Sequence, residues 1–183
     1  MSNSILETLR QEWHVGRTYH DTLPRLSKLR LNSSDTVADL LEQQAKKYPQ
    51  NVAIYFEKQR ITYREYDSAA NRFANWARAQ GLKRGDTVAL LMHDRPEFLF
   101  AWLGMAKLGI VTALLNDNLH GHSLTHCLEV VDAKLLILDS TLADEWHAAE
   151  TLLETPVPCW SYGGLVKGAK SLNAALSKQS EQL

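Results

Sequence analysis

The sequence predicts an α/β fold in which helices cover both faces of a mostly parallel β-sheet. Its strands are indicated by three segments that are nearly continuous in apolar residues: TVALLM (87–92), IVTALL (110–115) and KLLILD (134–139). Strands of this composition are buried on both faces, as they are in parallel sheets. Helical segments at 96–108 and 121–132 separate the strands, which is the order of repeated strand–helix–strand units.

The region before this repeat is predicted to hold an arm and a first helix. Residues 1–34 are interpreted as an N-terminal helical arm, and residues 35–183 as the remaining domain. Ser33, Ser34 and Asp35 are residue types that cap helices, so they predict the start of the helix TVADLLEQQAKKYP, which Pro49 closes. The apolar face of this helix is expected to contain Leu40, Leu41 and Ala45.

A hairpin and a second helix are expected next, and the chain ends in shorter elements. NVAIYFEKQ alternates like a strand, RITY follows as its hairpin partner, and Gly81 ends the helix of residues 62–81. One face of that helix is apolar and contains Tyr66, Ala69, Ala70, Phe73, Trp76 and Ala77. After residue 139 the sequence predicts a helix at 141–154, a strand at 156–160 and a weak helix beginning near 171.

The composition excludes several classes of protein. Twenty Lys and Arg residues against 21 Asp and Glu give a formal charge of −1, so no basic field for nucleic acid is present. Cys127 and Cys159 lack metal or redox spacing, which fits a reduced cytoplasmic setting. The first residues lack the features of a secretory signal. We therefore expect a cytoplasmic protein, for which peripheral contact with the inner membrane stays open.

The run from Phe98 to Leu115, FLFAWLGMAKLGIVTALL, is long enough to raise the question of a membrane span. Pro96 and Glu97 precede it and are helix-start signals of soluble proteins. Gly109 stands where a helix would end, and β-branched residues follow it. The run is therefore predicted to be a buried helix, a glycine stop and a buried strand.

The segment HGHSLTHC contains His120, His122, His126 and Cys127, which could suggest a metal site. His122 and His126 would share a helix face, but the glutamate of an H-E-x-x-H site is replaced by Ser123. We expect no metal site here, and we expect Cys127 to pack as a small apolar group.

The segment GGLVKGAKS (163–171) is close to a phosphate-binding loop but has the wrong spacing. Ala169 separates Gly168 from Lys170, so the lysine is one residue out of register, and a flexible surface loop is the expectation. Motifs of dinucleotide-binding domains (G-x-G-x-x-G) and of α/β-hydrolases (G-x-S-x-G) are absent from the sequence.

Several carboxylates fall at element ends, where capping explains them without catalysis; they are Asp94, Asp117, Asp132 and Asp139. Asp94 and Asp117 follow adjacent predicted strands, at the sheet edge where α/β proteins bind ligands, which makes them site candidates.

The order of segments from TVADLLEQQ to IVTALLN resembles the opening of the adenylate-forming (AMP-binding) enzymes. RPEFLFAWLGMAKLG, ALLNDNL and THCLEVVDAKLLI carry a closer resemblance to the long- and very-long-chain acyl-CoA synthetases and fatty acid transport proteins. The resemblance implies that residues 35–183 form an incomplete N-terminal subdomain. It also implies a family that joins a fatty acid to CoA with ATP and Mg²⁺.

The resemblance further implies that the phosphate loop and catalytic lysine of the family come after this chain. We therefore expect a truncated fatty-acid–CoA ligase that is inactive alone, without a cofactor of its own, and we assign no catalytic residue. The alternatives are a binding or interaction module, or one half of a split synthetase that a missing C-terminal polypeptide completes.

One loop carries the site expectation that the resemblance implies. In related enzymes the loop after the strand matching 110–115 lies near CoA, so Asn116, Asp117 and Asn118 are candidates for the wall of a CoA or acyl pocket. His120 stands near a position where this branch often has arginine, so the chain departs there from the family pattern at a position that could contact an anion. The alternative is a simple turn, which Asn and Asp favour for local reasons.

Overall fold

A computed structural model describes residue 20 and residues 35–183, and Thr36–Leu183 form one compact unit. The predicted arm of residues 1–34 otherwise lies outside the described residues. The helices are Val37–Lys47 (α1), Tyr63–Ala79 (α2), Pro96–Lys107 (α3), Gly121–Val130 (α4), Ala143–Glu150 (α5) and Leu172–Leu176 (α6). The strands are Val52–Phe56 (β1), Gln59–Thr62 (β2), Thr87–Leu91 (β3), Val111–Leu114 (β4), Leu135–Asp139 (β5), Cys159–Tyr162 (β6) and Lys170–Ser171 (β7).

Five of the strands form a parallel sheet in the order β4-β3-β5-β6-β7, and β1 and β2 form a separate antiparallel hairpin. Alternate residues of β3 point to opposite faces. Val88 and Leu90 pack in a core that also contains Trp76 of α2, whereas Leu91 packs in a core that contains Trp146 of α5. Helices therefore cover both faces of the sheet, as the sequence predicted.

The apolar run from Phe98 to Leu115 is a buried helix followed by a strand. The strand was expected to be buried, but it lies at the edge of the sheet, where Val111 and Leu114 are each 52% exposed. Helix α3 begins with Pro96, Gly109 adopts a φ of +68°, and β4 follows. No helix among the described residues has the length and apolar character needed to cross a membrane. Lys107, the one charge in the run, is buried and ion-paired to Glu42 and Asp67, each at 2.7 Å.

The start of α1 differs from the expectation. Its N-cap is Thr36, whose hydroxyl accepts a hydrogen bond from the backbone N–H of Asp39, while the Asp39 carboxylate accepts from the Thr36 N–H. This capping box starts the helix after Asp35. Leu40 is 52% exposed and does not belong to the buried face, which is formed by Ala38 with the half-buried Leu41.

Three further differences concern the last third of the chain. The strand expected at 156–160 begins later, at Cys159, because Pro156 and Pro158 have no N–H to donate to a neighbouring strand. The segment 163–171, expected to be a flexible loop, ends in β7, where Lys170 pairs with Trp160 in the register of the sheet. The helix expected at 141–154 begins as a 3₁₀ turn and ends at Glu150.

Candidate functional site

The carboxyl ends of β3, β4, β5 and β6 meet at one edge of the sheet, and polar residues follow each strand there. Parallel α/β sheets bind ligands at this edge, because the loops that leave the strands can converge above it. Three groups of side chains occupy the edge: an arginine-centred cluster, a histidine–aspartate pair and the turn after β4.

Arg95 joins three of these strand ends. Its Nε donates to Oε2 of Glu97 at 2.8 Å and its Nη1 donates to Oδ2 of Asp139 at 3.2 Å. The guanidinium carbon lies 5.2 Å from the centroid of the Tyr162 ring, and the Tyr162 hydroxyl donates to Oε1 of Glu97 at 3.2 Å. We call these four residues the Arg95 cluster. It connects the loop after β3 with the ends of β5 and β6.

The charges in the Arg95 cluster alter the pKa of its members. Burial acts to raise the pKa of Asp139, but the hydrogen bonds from Thr141 and Arg95 together outweigh burial and hold that pKa below its ordinary value. Burial likewise opposes the charge on Arg95, yet its two carboxylate partners raise its pKa. Burial, reinforced by the nearby Glu97 carboxylate, raises the pKa of Tyr162 to about 12. The cluster therefore holds a fixed arrangement of charges at neutral pH.

A small pocket of about 240 Å³ borders the Arg95 cluster. Glu97 and Tyr162 form part of its wall, and Arg72 and Asn173 contribute further polar groups. Its apolar lining contains Ala69, Phe73, Phe100 and Leu176. The combination of an apolar lining with a few polar groups is typical of sites for small organic molecules.

His93 and Asp117 join the ends of β3 and β4. The Nδ1 atom of His93 lies 2.5 Å from Oδ2 of Asp117. Of the two carboxylates that the sequence placed at this edge, Asp117 therefore contacts the neighbouring strand end, whereas Asp94 is an exposed residue of the loop after β3.

The residues predicted to line a CoA or acyl pocket form a compact turn. Oδ1 of Asn116 accepts hydrogen bonds from the backbone N–H of Asn118 at 2.9 Å and from its Nδ2 at 3.1 Å. Nδ2 of Asn118 also donates to Oδ1 of Asp117 at 3.0 Å. Asn116 therefore has a local role in the geometry of the turn. The exposed faces of Asn116 and Asn118 leave the pocket assignment a prediction.

Three histidines lie at or just before the start of α4. His120 is the N-cap, His122 and His126 lie within the helix, and all three are exposed. Among residues 35–183 no three His, Cys, Asp or Glu side chains are grouped closely enough to hold a metal ion. Cys127 is half-buried and packs against the core that contains Leu128.

From the sequence, Glu97 was predicted only as a helix-start signal, no role was predicted for Arg95, and Asp139 was assigned to capping. Capping is confirmed for Asp139, whose Oδ1 accepts from the Thr141 N–H at 3.1 Å, but its second oxygen binds Arg95. A usable signal was present, since the R-x-E pair of Arg95 and Glu97 follows the buried strand β3 within a few residues and Asp139 ends the buried strand β5.

Comparisons with known proteins agree on one family. The model of a family described as AMP-binding enzyme matches residues 41–182. Long-chain fatty acid transport protein 6 of Mus musculus is 35% identical over 149 residues, covering 80% of this chain and 24% of that protein. A medium/long-chain fatty-acid–CoA ligase of Mycobacterium tuberculosis is 34% identical over 113 residues, covering 62% of this chain and 19% of that protein.

A solved structure supports the fold. An anthranilate CoA ligase in complex with anthranoyl-AMP superposes with a TM-score of 0.76 at 23% identity, covering 86% of this chain and 30% of that one. This likeness concerns the fold alone. The chain spans about a quarter of the length of the first of these curated relatives.

Proposed function

The chain belongs to the AMP-binding enzyme family, and from that premise we propose that it forms the N-terminal part of a fatty-acid–CoA ligase. The observation that carries the proposal is the 35% identity to a long-chain fatty acid transport protein over 80% of this chain. The 34% identity to a fatty-acid–CoA ligase supports the same substrate class. The complete ligase would use ATP with Mg²⁺ to activate a fatty acid and would then transfer the acyl group to CoA.

We place the contribution of this chain at the carboxyl edge of its sheet. The turn of Asn116, Asp117 and Asn118 would form part of the wall of the CoA or acyl pocket. Because Nδ2 of Asn118 already donates to Asn116 and Asp117, its Oδ1 would accept a hydrogen bond from an amide N–H of a pantetheine arm. The contact between His93 and Asp117 at 2.5 Å would hold the turn against the end of β3, so that a ligand meets a preformed wall.

Activation of the acid requires more than this wall. Charge develops on the ATP phosphates during displacement, so backbone N–H groups and cations must surround them. The Gly-Ala-Lys spacing at 168–170 does not match a phosphate loop. We therefore propose that a second polypeptide, or a further part of the same one, supplies those groups. A cytoplasmic location with peripheral contact at the inner membrane stays a prediction.

Exchange of pyrophosphate into ATP tests the activity. The 183-residue chain is assayed with palmitate, alone and mixed with a polypeptide that contains the remaining three quarters of a relative. We expect no exchange by the chain alone and measurable exchange in the mixture. Palmitate-dependent exchange by the purified chain alone would contradict the proposed division of the site. Binding of the second polypeptide without exchange would instead favour an interaction module.

Direct binding of pantetheine, the uncharged arm of CoA, tests the wall. Pantetheine is titrated into the chain and followed by backbone amide chemical shifts, with the variant Asn118→Ala and the control Gln59→Ala, which changes an exposed residue of β2. We expect the shifts to centre on residues 116–120 and Asn118→Ala to weaken binding about three- to tenfold, the usual worth of one hydrogen bond. Shifts centred elsewhere, or equal effects of both variants, would refute the assignment.

A further inference from the structure

A second pocket lies at the opposite, amino edge of the sheet and is surrounded by lysines. It has a volume of about 500 Å³. Its lining consists of residues at the beginning of β5, β6 and β7 and of the turn after α2. Lys83, Lys134 and Lys170 reach it from three different segments of the chain. The proposed function does not use this pocket. We propose that it binds a phosphate monoester that carries an apolar or aromatic group.

The charges around this amino-edge pocket favour an anion. The lining contains three ammonium groups and one carboxylate, that of Asp86, whose Oδ2 already accepts a hydrogen bond from the backbone N–H of Lys83 at 2.7 Å. Lys134 has a carboxylate neighbour outside the lining, since its Nζ lies 3.2 Å from Oδ2 of Asp132. The lining is positive although the whole chain has a formal charge of −1. Such a local concentration of like charge attracts a ligand of opposite charge.

The pocket also has an apolar wall that is held in place. Trp160 forms this wall, and its ring meets that of the fully buried Trp76 edge to face, with centroids 5.3 Å apart and an interplanar angle of 81°. Nζ of Lys170 lies 5.2 Å from the centroid of the Trp160 ring. An aromatic surface beside an ammonium group suits a ligand that has both an apolar body and a negative charge. Leu82, Leu135 and Pro158 complete the apolar lining.

The position of Lys170 follows from the segment that resembles a phosphate loop. Gly168 takes a φ of +81° and allows the chain to turn into β7. Lys170 then pairs with Trp160 in the parallel register, so that the two residues lie side by side at the pocket. The segment thus brings one lysine to an anion site on a strand, without the backbone cradle that a phosphate loop would form at a helix.

A phosphate monoester matches these features better than a simple carboxylate. It carries between one and two negative charges near pH 7, and several lysines can share that charge. The volume of about 500 Å³ falls in the range of sites for small organic molecules. The phosphate can belong to a soluble molecule or to a lipid headgroup, and both present the same group to the lysines.

The test has two arms, one for each source of the phosphate. Phenyl phosphate is titrated into the full chain by isothermal calorimetry, and sedimentation measures binding to phosphatidylcholine vesicles with and without phosphatidic acid. The variant Lys170→Met is compared with Lys167→Met, a neighbouring exposed lysine that does not line the pocket. Circular dichroism verifies that both variants keep the fold.

We expect Lys170→Met to weaken binding roughly two- to fivefold, the usual worth of one exposed charge pair, and added salt to weaken it further. Lys167→Met should leave binding unchanged. Binding in the first arm alone identifies a soluble ligand, and binding in the vesicle arm alone identifies a headgroup. The proposal fails if neither arm binds below about 10 mM, or if both lysine variants weaken binding equally.

Discussion

Replacement of Lys107 by methionine tests how a single charge is accommodated inside the apolar run. The Lys107 side chain is 1% exposed, and its Nζ lies 2.7 Å from Oε1 of Glu42 and 2.7 Å from Oδ1 of Asp67. Its two partners belong to α1 and α2, so the ammonium group holds three helices together. Methionine keeps most of the apolar stem but leaves both carboxylates without their shared cation.

The expected cost follows from the exposure of the partners. Removal of one member of a fully buried ion pair costs about 3–5 kcal/mol, because the remaining charge is left without compensation. The carboxylates of Glu42 and Asp67 are 34% and 25% exposed, so water reaches them and reduces the cost. We therefore expect Lys107→Met to lower the free energy of unfolding by about 2–3 kcal/mol.

Urea unfolding followed by far-ultraviolet circular dichroism measures this change, with an unchanged m value as the sign of two-state behaviour. The triple variant Lys107→Met with Glu42→Gln and Asp67→Asn removes all three charges and should recover most of the loss. The control Lys58→Met alters an exposed lysine and should change stability by less than about 0.5 kcal/mol. A single variant as stable as the wild type, or a triple variant no better than the single, would refute this account.

Three further expectations concern packing and titration. Gly104→Ala should lower the free energy of unfolding by about 1–3 kcal/mol in urea, because the new Cβ would lie 2.6 Å from Cβ of Phe73, between α2 and α3. The control Ser123→Ala changes an exposed residue of α4 and should leave the free energy of unfolding unchanged or raise it. Since the pKa of Tyr162 is raised from 10.0 to about 12, the stability linked to its neutral form is complete below pH 10 and is lost between those values. Alkaline unfolding of Tyr162→Phe should show less of that loss, and an identical pH profile would contradict it. Burial, with a smaller effect of Glu150, raises the pKa of Cys159 to about 12, so iodoacetamide at pH 8 should leave this thiol unlabelled until the chain unfolds, as read by peptide mass spectrometry.

The elements that could be predicted are those whose local pattern agrees with their tertiary environment. The strands β3 and β5 were located within one residue because a continuous apolar run is itself the condition for burial on both faces. β4 was located equally well, but it is an edge strand and is partly exposed. Gly109 marked the end of α3 because the chain needs a positive φ there. β7 was missed because only two of its residues pair, and two residues carry no period.

The candidate site was predicted less well, because its contacts join residues that are distant in sequence. Arg95 and Asp139 are separated by 44 positions, and Glu97 and Tyr162 by 65. Composition can show that charges follow a strand, but the choice of partner depends on which strands are neighbours in the sheet. The turn after β4 was located correctly because Asn and Asp determine its geometry locally, whereas its assignment to CoA came from a resemblance.

The distribution of charge between the two edges of the sheet limits what each can bind. At the described part of the carboxyl edge the carboxylates of Glu97, Asp117 and Asp139 outnumber the guanidinium of Arg95, which already donates to two of them. A phosphate approaching this edge would meet net repulsion, so the edge suits the neutral parts of a ligand, such as an acyl chain or the amides of pantetheine. The amino edge has the opposite balance, since its pocket is lined by three lysines and one carboxylate. An anion should therefore bind at the amino edge in the chain alone, and a ligand with a phosphate at the carboxyl edge would need cations from another segment.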